Sequence, residues 1–379
     1  MSDLIESVTV MTIQAALPAP VIFGEWIMHT REFALVRVRA RSGLDGYAYT
    51  LTRDGTVAEQ IRKTIARVYV DTDVADRERT FTTAWRRSLA SHAAGIGLRA
   101  LSIVDLACWD LAARGRGESI ARLLGGHNVA MPATAIIGYP PGTMGPEETG
   151  EQTAGLYARG WRRFKAPIAA TPERTAARLR AARAAAPDAW LGMDAAWVYD
   201  DVDTAAAFVN GIDDVGLGWF EDVFPPGDAR QLRDLRRRTS TPIAMGDEQG
   251  GIYYPQALIE LEAVDVIRVD LTCMGGITRG RRVIDEVLAA GLAFAPHMFP
   301  HIHSQVLGGL GYGDVPIEWG IPFTGVHPMD DPLPQPVIGE EGRMAALEET
   351  AGFGHLVDPG WVRSQVHDDP DGILADLQG

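Results

Sequence analysis

Acidic and histidine residues recur through the second half of the chain at nearly equal intervals. Each follows a short apolar run typical of a buried strand, and successive members lie 27, 26, 23 and 27 residues apart. A strand, a helix and two loops occupy roughly 25–30 residues in an eight-stranded parallel barrel of about 250 residues. Because the carboxyl ends of parallel barrel strands share one mouth, we expect these side chains to converge there: Asp194, Glu221, Asp247, Asp270 and His297.

The rest of the chain predicts a second domain beside the barrel, since 379 residues exceed a usual single domain. Residues 1–50 alternate apolar and polar side chains as antiparallel strands do, around a Pro/Gly-rich segment at 17–26 that predicts a long loop. The pattern then becomes helical over about 56–125. Strands followed by helices indicate an α+β domain, which we assign to residues 1–128.

Strand–helix alternation follows over 129–330 and predicts the barrel. The Pro/Gly-rich segment 331–379 has little helical periodicity, and we expect it to pack back onto the N-terminal domain.

Composition excludes several classes of function. A formal net charge of −15 argues against a nucleic-acid partner, which would favour a basic surface. Two cysteines, Cys108 and Cys273, are too few for a disulfide framework. The first residues lack a basic, apolar leader, and no 18-residue apolar run follows, so we expect a cytoplasmic protein without a membrane partner.

Three of the recurring acids have the ligand chemistry of magnesium. Carboxylate oxygens at neighbouring strand ends suit Mg²⁺, and we expect Asp194, Glu221 and Asp247 to bind it. Asp222 and Glu248 are alternatives, because adjacent strand side chains point to opposite faces and only one of each pair is then expected at the mouth. Any one of these acids alone could instead cap a helix.

Asp270 and His297 end consecutive predicted strands, so their side chains are expected to meet. Histidine titrates near neutrality and is the usual general base, and a neighbouring carboxylate orients it. His301 and His303 lie just beyond, where surface or helix-start positions are expected.

These motifs together resemble the enolase superfamily, and within it the mandelate-racemase-like subgroup. The resemblance spans nearly the whole chain, including the helical segment 98–126 that resembles the end of that family's capping domain. It implies an α/β fold, a modified (β/α)7β TIM barrel with an N-terminal α+β capping domain completed by the C-terminal tail. The residues that carry it are Lys165 in GWRRFK, the three acids above, Asp270 before MGGIT, His297 in PHMFP and Glu318 in IEWG.

The resemblance also implies a shared first step, loss of the α-proton from a Mg²⁺-bound carboxylate substrate. The three acids would be the metal ligands, and His297 with Asp270 the acid/base dyad. Glu318 would hydrogen-bond the substrate carboxylate, with a salt-bridged strand-end acid as the alternative. The family is mostly oligomeric, so a homo-oligomer is expected.

Two positions depart from the family pattern. The subgroup usually carries Lys-x-Lys at this strand end, with the second lysine as a base on the opposite face. Here Lys165 is followed by Ala166 and Pro167, and proline cannot transfer a proton. Ala196 stands where asparagine is common.

One base favours a dehydratase of a sugar acid (an aldonate or aldarate), similar to the rhamnonate-dehydratase-like branch. His297 would remove the α-proton and return a proton to the departing β-hydroxyl, which leads to a 2-keto-3-deoxy acid. A racemase, epimerase or cycloisomerase using the same enolisation is the alternative, with Lys165 as a possible second catalytic group. A non-catalytic barrel is a third hypothesis, which the intact acids disfavour.

Two N-terminal segments match the family's lid over the mouth, residues 18–28 and 47–54. Closure of a lid would exclude water from the reaction. Their aromatic and basic side chains are expected either to bind substrate or to pack between the domains: Trp26, Tyr47, Tyr49 and Arg53.

Overall fold

A computed structural model describes residues 3–246, 249, 251–354 and 356–377. The N-terminal part of the chain forms an antiparallel sheet whose first three strands are neighbours in sequence order, and a short C-terminal strand, described below, pairs with the first of them. Its first three strands are β1 (Ile5–Phe23), β2 (Trp26–Ala40) and β3 (Asp45–Leu51).

The segment predicted as a long loop at 17–26 is instead the tip of a strand hairpin, and that prediction was wrong. β1 runs to Phe23 and β2 starts at Trp26, so only two residues form the turn. Pro18 and Pro20 fall where the ladder is interrupted, between the pairs Ala16–Thr30 and Val21–Met28. A proline has no N–H to give to a ladder and is tolerated at such an irregularity, which the sequence pattern did not reveal.

Helices cover one face of this sheet, as the sequence predicts. The longest, α5, is apolar around most of its surface and is buried along nearly its whole length. Gly46 of β3 permits its close approach, since a Cβ there would lie 2.2 Å from the Ala107 carbonyl oxygen. The helices are α1 (Val57–Gln60), α2 (Ala66–Tyr69), α3 (Arg77–Arg87), α4 (Leu89–His92), α5 (Gly95–Arg114) and α6 (Ile120–Leu123), with a π-helical turn at Ile61–Ile65.

Eight parallel strands form the second domain, in the order β10-β9-β8-β7-β6-β5-β4-β11. They are mostly buried, as barrel strands enclosed by helices should be. The strands are β4 (Met131–Ile136), β5 (Arg163–Pro167), β6 (Trp190–Asp194), β7 (Trp219–Glu221), β8 (Ile243–Met245), β9 (Val266–Val269), β10 (Ala293–Pro296) and β11 (Ile317–Gly320).

A helix follows each of the first seven barrel strands, and β11 is followed by irregular chain within the described residues. This confirms the modified (β/α)7β barrel. The helices are α7 (Pro146–Ala158), α8 (Pro172–Ala185), α9 (Val202–Asn210), α10 (Ala229–Arg236), α11 (Tyr253–Glu260), α12 (Gly276–Ala289) and α13 (Pro300–Gly309).

The C-terminal segment contacts both domains. β12 (Arg343–Met344) pairs with β4, and β13 (Val366–Asp368) pairs with β1 of the N-terminal sheet. Two short helices flank β13, α14 (Pro359–Gln365) and α15 (Ile373–Asp376). In the described part of the chain, no helix has the length and apolar character needed to cross a membrane.

Candidate active site

A cavity of about 630 Å³, including its open mouth, lies between the carboxyl ends of the barrel strands and the N-terminal hairpin. Strand ends of the barrel form its floor, and residues of β1, β2 and the loop after β3 form its roof. Its lining combines aromatic, basic and acidic groups: Phe23, Trp26, Arg31, Leu51, Arg53, Ile136, Tyr139, Lys165, Pro167, Asp194, Ala196, Trp197, Asp222, His297, Met298 and Val326.

A cluster of buried charges occupies one side of the site. Lys165 Nζ lies 2.8 Å from Glu318 Oε1, 3.1 Å from Glu221 Oε1 and 3.7 Å from Asp194 Oδ2. Arg268 bridges the same two glutamates, with Nε 2.9 Å from Glu221 and Nη2 2.6 Å from Glu318. We call Lys165, Glu221, Arg268 and Glu318 the charged cluster; all four are at most 2% exposed.

The charged cluster shifts its members' pKa values. Burial alone would lower the pKa of Lys165, but Glu221 and Glu318 outweigh it and raise that pKa above its ordinary value. Burial would raise the pKa of Glu318, but Arg268 and Lys165 reverse the shift and lower it. For Glu221 burial prevails and the pKa is raised, since Asp194 and Glu318 add negative charge beside it. The two glutamates therefore favour the ammonium form of Lys165.

Asp194 and Glu221 are paired across neighbouring strands β6 and β7. Glu221 Oε2 is buried and has no hydrogen-bond partner among the described residues, so it is an acceptor that a cation could satisfy. Asp194 lines the cavity and accepts one backbone N–H, from Ala196 at 2.9 Å. Two oxygen donors in this position fit Mg²⁺.

Asp247 and Glu248, which come two and three residues after β8 in the sequence, lie outside the described residues. Among the residues that are described, no group of three or more His, Cys, Asp or Glu side chains has a metal-binding arrangement. All three magnesium ligands therefore stay predictions.

Asp222 does not follow the alternation expected of strand residues. It lines the cavity while the adjacent Glu221 is buried in the charged cluster. Asp222 has φ of 51°, so the chain turns at this residue instead of continuing as a strand. Of this pair, Asp222 is therefore the acid in the cavity lining, and Glu221 lies inside the barrel beside Lys165 and Arg268.

Asp270 and His297 meet on the other side of the site, with Asp270 Oδ2 3.2 Å from His297 Nδ1. The second carboxylate oxygen accepts the Thr272 N–H at 2.7 Å. Burial would raise the pKa of Asp270, but the hydrogen bond and charge of His297 outweigh it and lower the pKa. With Nδ1 directed at Asp270, Nε2 is the nitrogen through which His297 could exchange a proton with a substrate.

The lid residues divide into two groups. Trp26 and Arg53 line the cavity. Tyr47 instead contacts Asp45 beside Arg37 and Arg39, away from the cavity lining. Tyr49 is fully buried and its hydroxyl hydrogen-bonds Asp330. Neither of these tyrosines is among the residues that line the cavity.

Sequence reasoning missed two polar groups of the cavity lining, Arg31 and Tyr139. Arg31 is buried in β2, where its Nε donates to the Gly325 carbonyl (2.9 Å) and its Nη2 to the Tyr139 hydroxyl (3.1 Å). Tyr139 follows β4 and packs edge-on against Phe23. No sequence signal separates Arg31 from Arg37 and Arg39, the other arginines of the same strand.

Strained backbone concentrates around this cavity. Eleven described non-glycine residues have positive φ, and five of them line it: Arg53, Ala196, Trp197, Asp222 and Met298. A left-handed backbone at such residues costs free energy and persists where the surroundings impose it, often at functional sites.

A capped parallel barrel with carboxylates, a lysine and an Asp–His pair at the carboxyl ends of its strands defines a barrel enzyme. Comparison with known protein families identifies the kind of barrel enzyme. The family described as "Enolase C-terminal domain-like" matches residues 148–361, and the "Mandelate racemase / muconate lactonizing enzyme, N-terminal domain" family matches residues 6–125. The chain belongs to the mandelate racemase/muconate lactonizing enzyme group of the enolase superfamily.

Individual relatives agree with this assignment. An L-rhamnonate dehydratase of Saccharopolyspora erythraea is 28% identical over 349 residues, which covers 86% of this chain and 83% of the relative. A racemase from Streptomyces coelicolor A3(2), solved with bound magnesium, has a TM-score of 0.84 at 21% identity over 96% of this chain and 100% of the other. An L-talarate dehydratase from Polaromonas sp. JS666, solved with Mg and L-glucarate, has a TM-score of 0.82 at 20% identity over 97% and 98%.

Proposed function

We propose that this protein is a Mg²⁺-dependent dehydratase of a sugar acid. The observation that carries the proposal is the pairing of His297 with Asp270 at the cavity, together with Pro167 where a second base would stand. A single acid/base group suits an elimination in which one residue both removes and returns a proton.

The side chains divide the reaction between them. His297 takes the α-proton of the substrate, and negative charge then accumulates on the substrate carboxylate. Asp270 stabilises the imidazolium that forms. His297 next donates its proton to the β-hydroxyl, which leaves as water, and the resulting enol ketonises to a 2-keto-3-deoxy acid. Asp194, Glu221 and Asp247 would hold Mg²⁺, which supplies positive charge beside the substrate carboxylate.

Lys165 has a different role in this proposal. Its ammonium group is held by three carboxylates within 3.7 Å, so it is suited to attract an anionic substrate and not to remove a proton. Glu318 is engaged by Lys165, Arg268 and the Met298 N–H. We therefore propose that Glu318 fixes these groups in place and does not itself touch the substrate.

The cavity suits a hydroxylated acid. Arg31, Arg53 and Tyr139 offer hydrogen-bond donors in its lining, and Trp26 and Trp197 offer flat surfaces for the carbon skeleton. The names of the Saccharopolyspora and Polaromonas relatives, both dehydratases of sugar acids, support the same class of substrate.

The test is a panel of aldonic and aldaric acids incubated with the enzyme and Mg²⁺, with colorimetric detection of 2-keto acids. We expect at least one acid to be converted with accumulation of a 2-keto acid, and no conversion by the His297→Asn variant. A panel in which no acid yields a 2-keto acid, with Mg²⁺ bound, would contradict the proposal.

A racemase or epimerase is the second candidate, because Lys165 lines the same cavity as His297 and could act as a second group. Incubation in D₂O separates the two functions. A racemase exchanges deuterium into recovered substrate without consuming it, whereas a dehydratase consumes it. Racemised substrate together with an essential Lys165 would favour the second candidate.

A further inference from the structure

His303 connects the two loops that carry the Asp270–His297 pair. It lies in the first turn of α13, so of the two positions expected for it the helix start is the one observed, and it is buried at 1% exposed. Its Nε2 accepts the N–H of Leu271, the residue after Asp270, at 3.1 Å. Its Nδ1 lies 2.7 Å from the carbonyl oxygen of Met298, the residue after His297.

These two partners determine the protonation of His303. A carbonyl oxygen only accepts, so Nδ1 carries the proton and donates it to Met298. A backbone N–H only donates, so Nε2 is unprotonated. A second proton on the ring would oppose the Leu271 N–H, and burial also lowers the pKa of His303. The charged groups around it include Asp270, His297 and Arg268.

Because the His303 ring is neutral and does not donate to Asp270, the Asp270 carboxylate remains paired with His297. His303 Nε2 is 3.8 Å from Asp270 Oδ1, too far for a hydrogen bond, and that oxygen already accepts the Thr272 N–H. Of the two histidines beside Asp270, only His297 therefore donates to it.

The turn after His297 needs external support. Met298 and Phe299 have φ of 45° and 46°, a left-handed conformation that side chains other than glycine rarely adopt. The Met298 carbonyl accepts from His303, and its N–H lies 3.3 Å from Glu318 Oε2. The Phe299 ring packs edge-on against His327. Both polar groups of the Met298 backbone are thus held, and His303 is the link between this turn and Asp270.

We propose that His303 is a positioning residue for the acid/base pair. It fixes the turn that aims His297 into the cavity, and it keeps His297 Nδ1 on Asp270 by remaining a neutral acceptor for Leu271. The inference rests on the proposed role of His297 and Asp270, and not on which acid is the substrate.

Three variants separate the two hydrogen bonds. His303→Gln places an amide near the Nε2 position and can still accept from Leu271. His303→Asn places an amide near the Nδ1 position and can still donate to Met298. His303→Leu keeps the volume and removes both bonds. His301→Leu is the matched control, because His301 is a buried histidine in the same turn but packs on Trp319 away from the pair.

The first measurement does not require turnover. In long-range ¹⁵N–¹H spectra of histidine-labelled, Mg²⁺-loaded enzyme, we expect His303 as a single Nδ1–H neutral tautomer from about pH 6 to about pH 8. We expect His297 to lose its uniform Nδ1–H signal in His303→Leu and to keep it in His301→Leu. A protonated or Nε2–H His303, or an unchanged His297 signal in His303→Leu, would overturn the proposal even if no substrate had been found.

The second measurement uses any acid that the panel identifies. His303→Leu should lower kcat about 100-fold, because an ångström-scale misplacement of a catalytic group costs roughly that much, while KM changes by less than about threefold. His303→Gln and His303→Asn should each recover part of the loss, and His301→Leu should stay within about threefold of wild type. A wild-type kcat in His303→Leu, or an equal loss in His301→Leu, would contradict the positioning role.

Discussion

The two sides of the site hold their polar groups in opposite ways. The charged cluster has two cations and two glutamates, fully buried and joined by ion pairs of 2.6–3.1 Å. The Asp270–His297–His303 side has one carboxylate facing two imidazoles, and His297 is exposed enough, at 12%, to reach the cavity. The first arrangement fixes charge, and the second can move a proton.

The difference follows from the cost of burying charge. A buried ion is stable only with partners, and removing one partner leaves the others uncompensated. An imidazole can stay neutral when buried and become charged only when a proton arrives. The cluster is therefore suited to hold a cation and an anionic substrate, and the dyad is suited to the chemical step.

The largest expected effect is on the dyad side. His297→Asn should reduce the rate of 2-keto acid formation about 10⁴-fold, at the upper end of general acid–base contributions, because it removes the only proposed proton carrier. Mg²⁺ binding, measured by calorimetry, should remain near wild type, since the proposed ligands lie on the other side. A variant that keeps more than about a tenth of the wild-type rate would reverse our assignment of the two sides.

The next effect is on the charged cluster and concerns stability. Arg268→Met should lower the free energy of unfolding by about 3–5 kcal/mol, because Glu221 and Glu318 each lose a buried partner. Urea denaturation of the metal-free protein measures it. The control is Arg238→Met, whose ion pair with Asp203 is exposed and should contribute less than about 1 kcal/mol. Equal losses of unfolding free energy in the two variants would show that the buried ion pairs of the cluster stabilise the protein no more than an exposed pair does.

The sequence predicted the parts of this site that depend on strand order. Acids and a histidine after regularly spaced apolar runs are brought to one mouth by any parallel barrel, so the meeting of Asp270 with His297 required no knowledge of side-chain packing. The parallel barrel followed from the same periodicity, whereas its modified (β/α)7β form and the capping domain followed from the family resemblance, and the family comparisons agree with both.

Contacts that depend on packing between distant segments could not be predicted. Arg268 reads as an ordinary strand residue, because nothing near it in sequence identifies Glu221 and Glu318 as its partners. His303 is placed by α13 and by two loops, and Arg31 by the approach of the hairpin to the barrel. The choice between Glu221 and Asp222 assumed that adjacent strand residues point to opposite faces. The left-handed backbone at Asp222 ends the strand there, so that rule does not apply.

A smaller loss of activity is expected when the dyad is left in place but not oriented. Asp270→Asn should lower kcat about 100-fold, because the amide can no longer stabilise the imidazolium of His297. Asp110→Asn is the matched control: Asp110 is also buried and lies 2.7 Å from Arg114, but its pair does not line the cavity. Steady-state kinetics on the identified acid measures both, and a comparable loss in Asp110→Asn would indicate a general effect of removing a buried carboxylate.

The smallest expected effect is on the pH dependence of stability. It concerns two buried carboxylates, Asp270, which has a charged partner, and Asp105, whose partners are mainly hydrogen-bond dipoles. Asp270 has its pKa lowered, because His297 outweighs burial, so its stabilisation is present above its ordinary pKa of 3.8 and lost as pH falls through the folded value. Asp105 of α5 accepts the N–H and hydroxyl of Thr278 at the start of α12, and there burial prevails and raises the pKa to about 7.

The folded state therefore holds the Asp105 proton more tightly than the unfolded state. Its stabilisation is complete below 3.8 and lost as pH rises through about 7. Wild type should lose up to about 1 kcal/mol per pH unit relative to Asp105→Asn between about pH 5 and about pH 7, because the substituted amide does not titrate. Urea unfolding at several pH values measures the difference. If the free energies of unfolding of wild type and Asp105→Asn changed in parallel with pH, the pKa of Asp105 would not be raised in the folded state. The start of α12 and the Thr278 hydroxyl would then stabilise the buried carboxylate as well as a charged partner does.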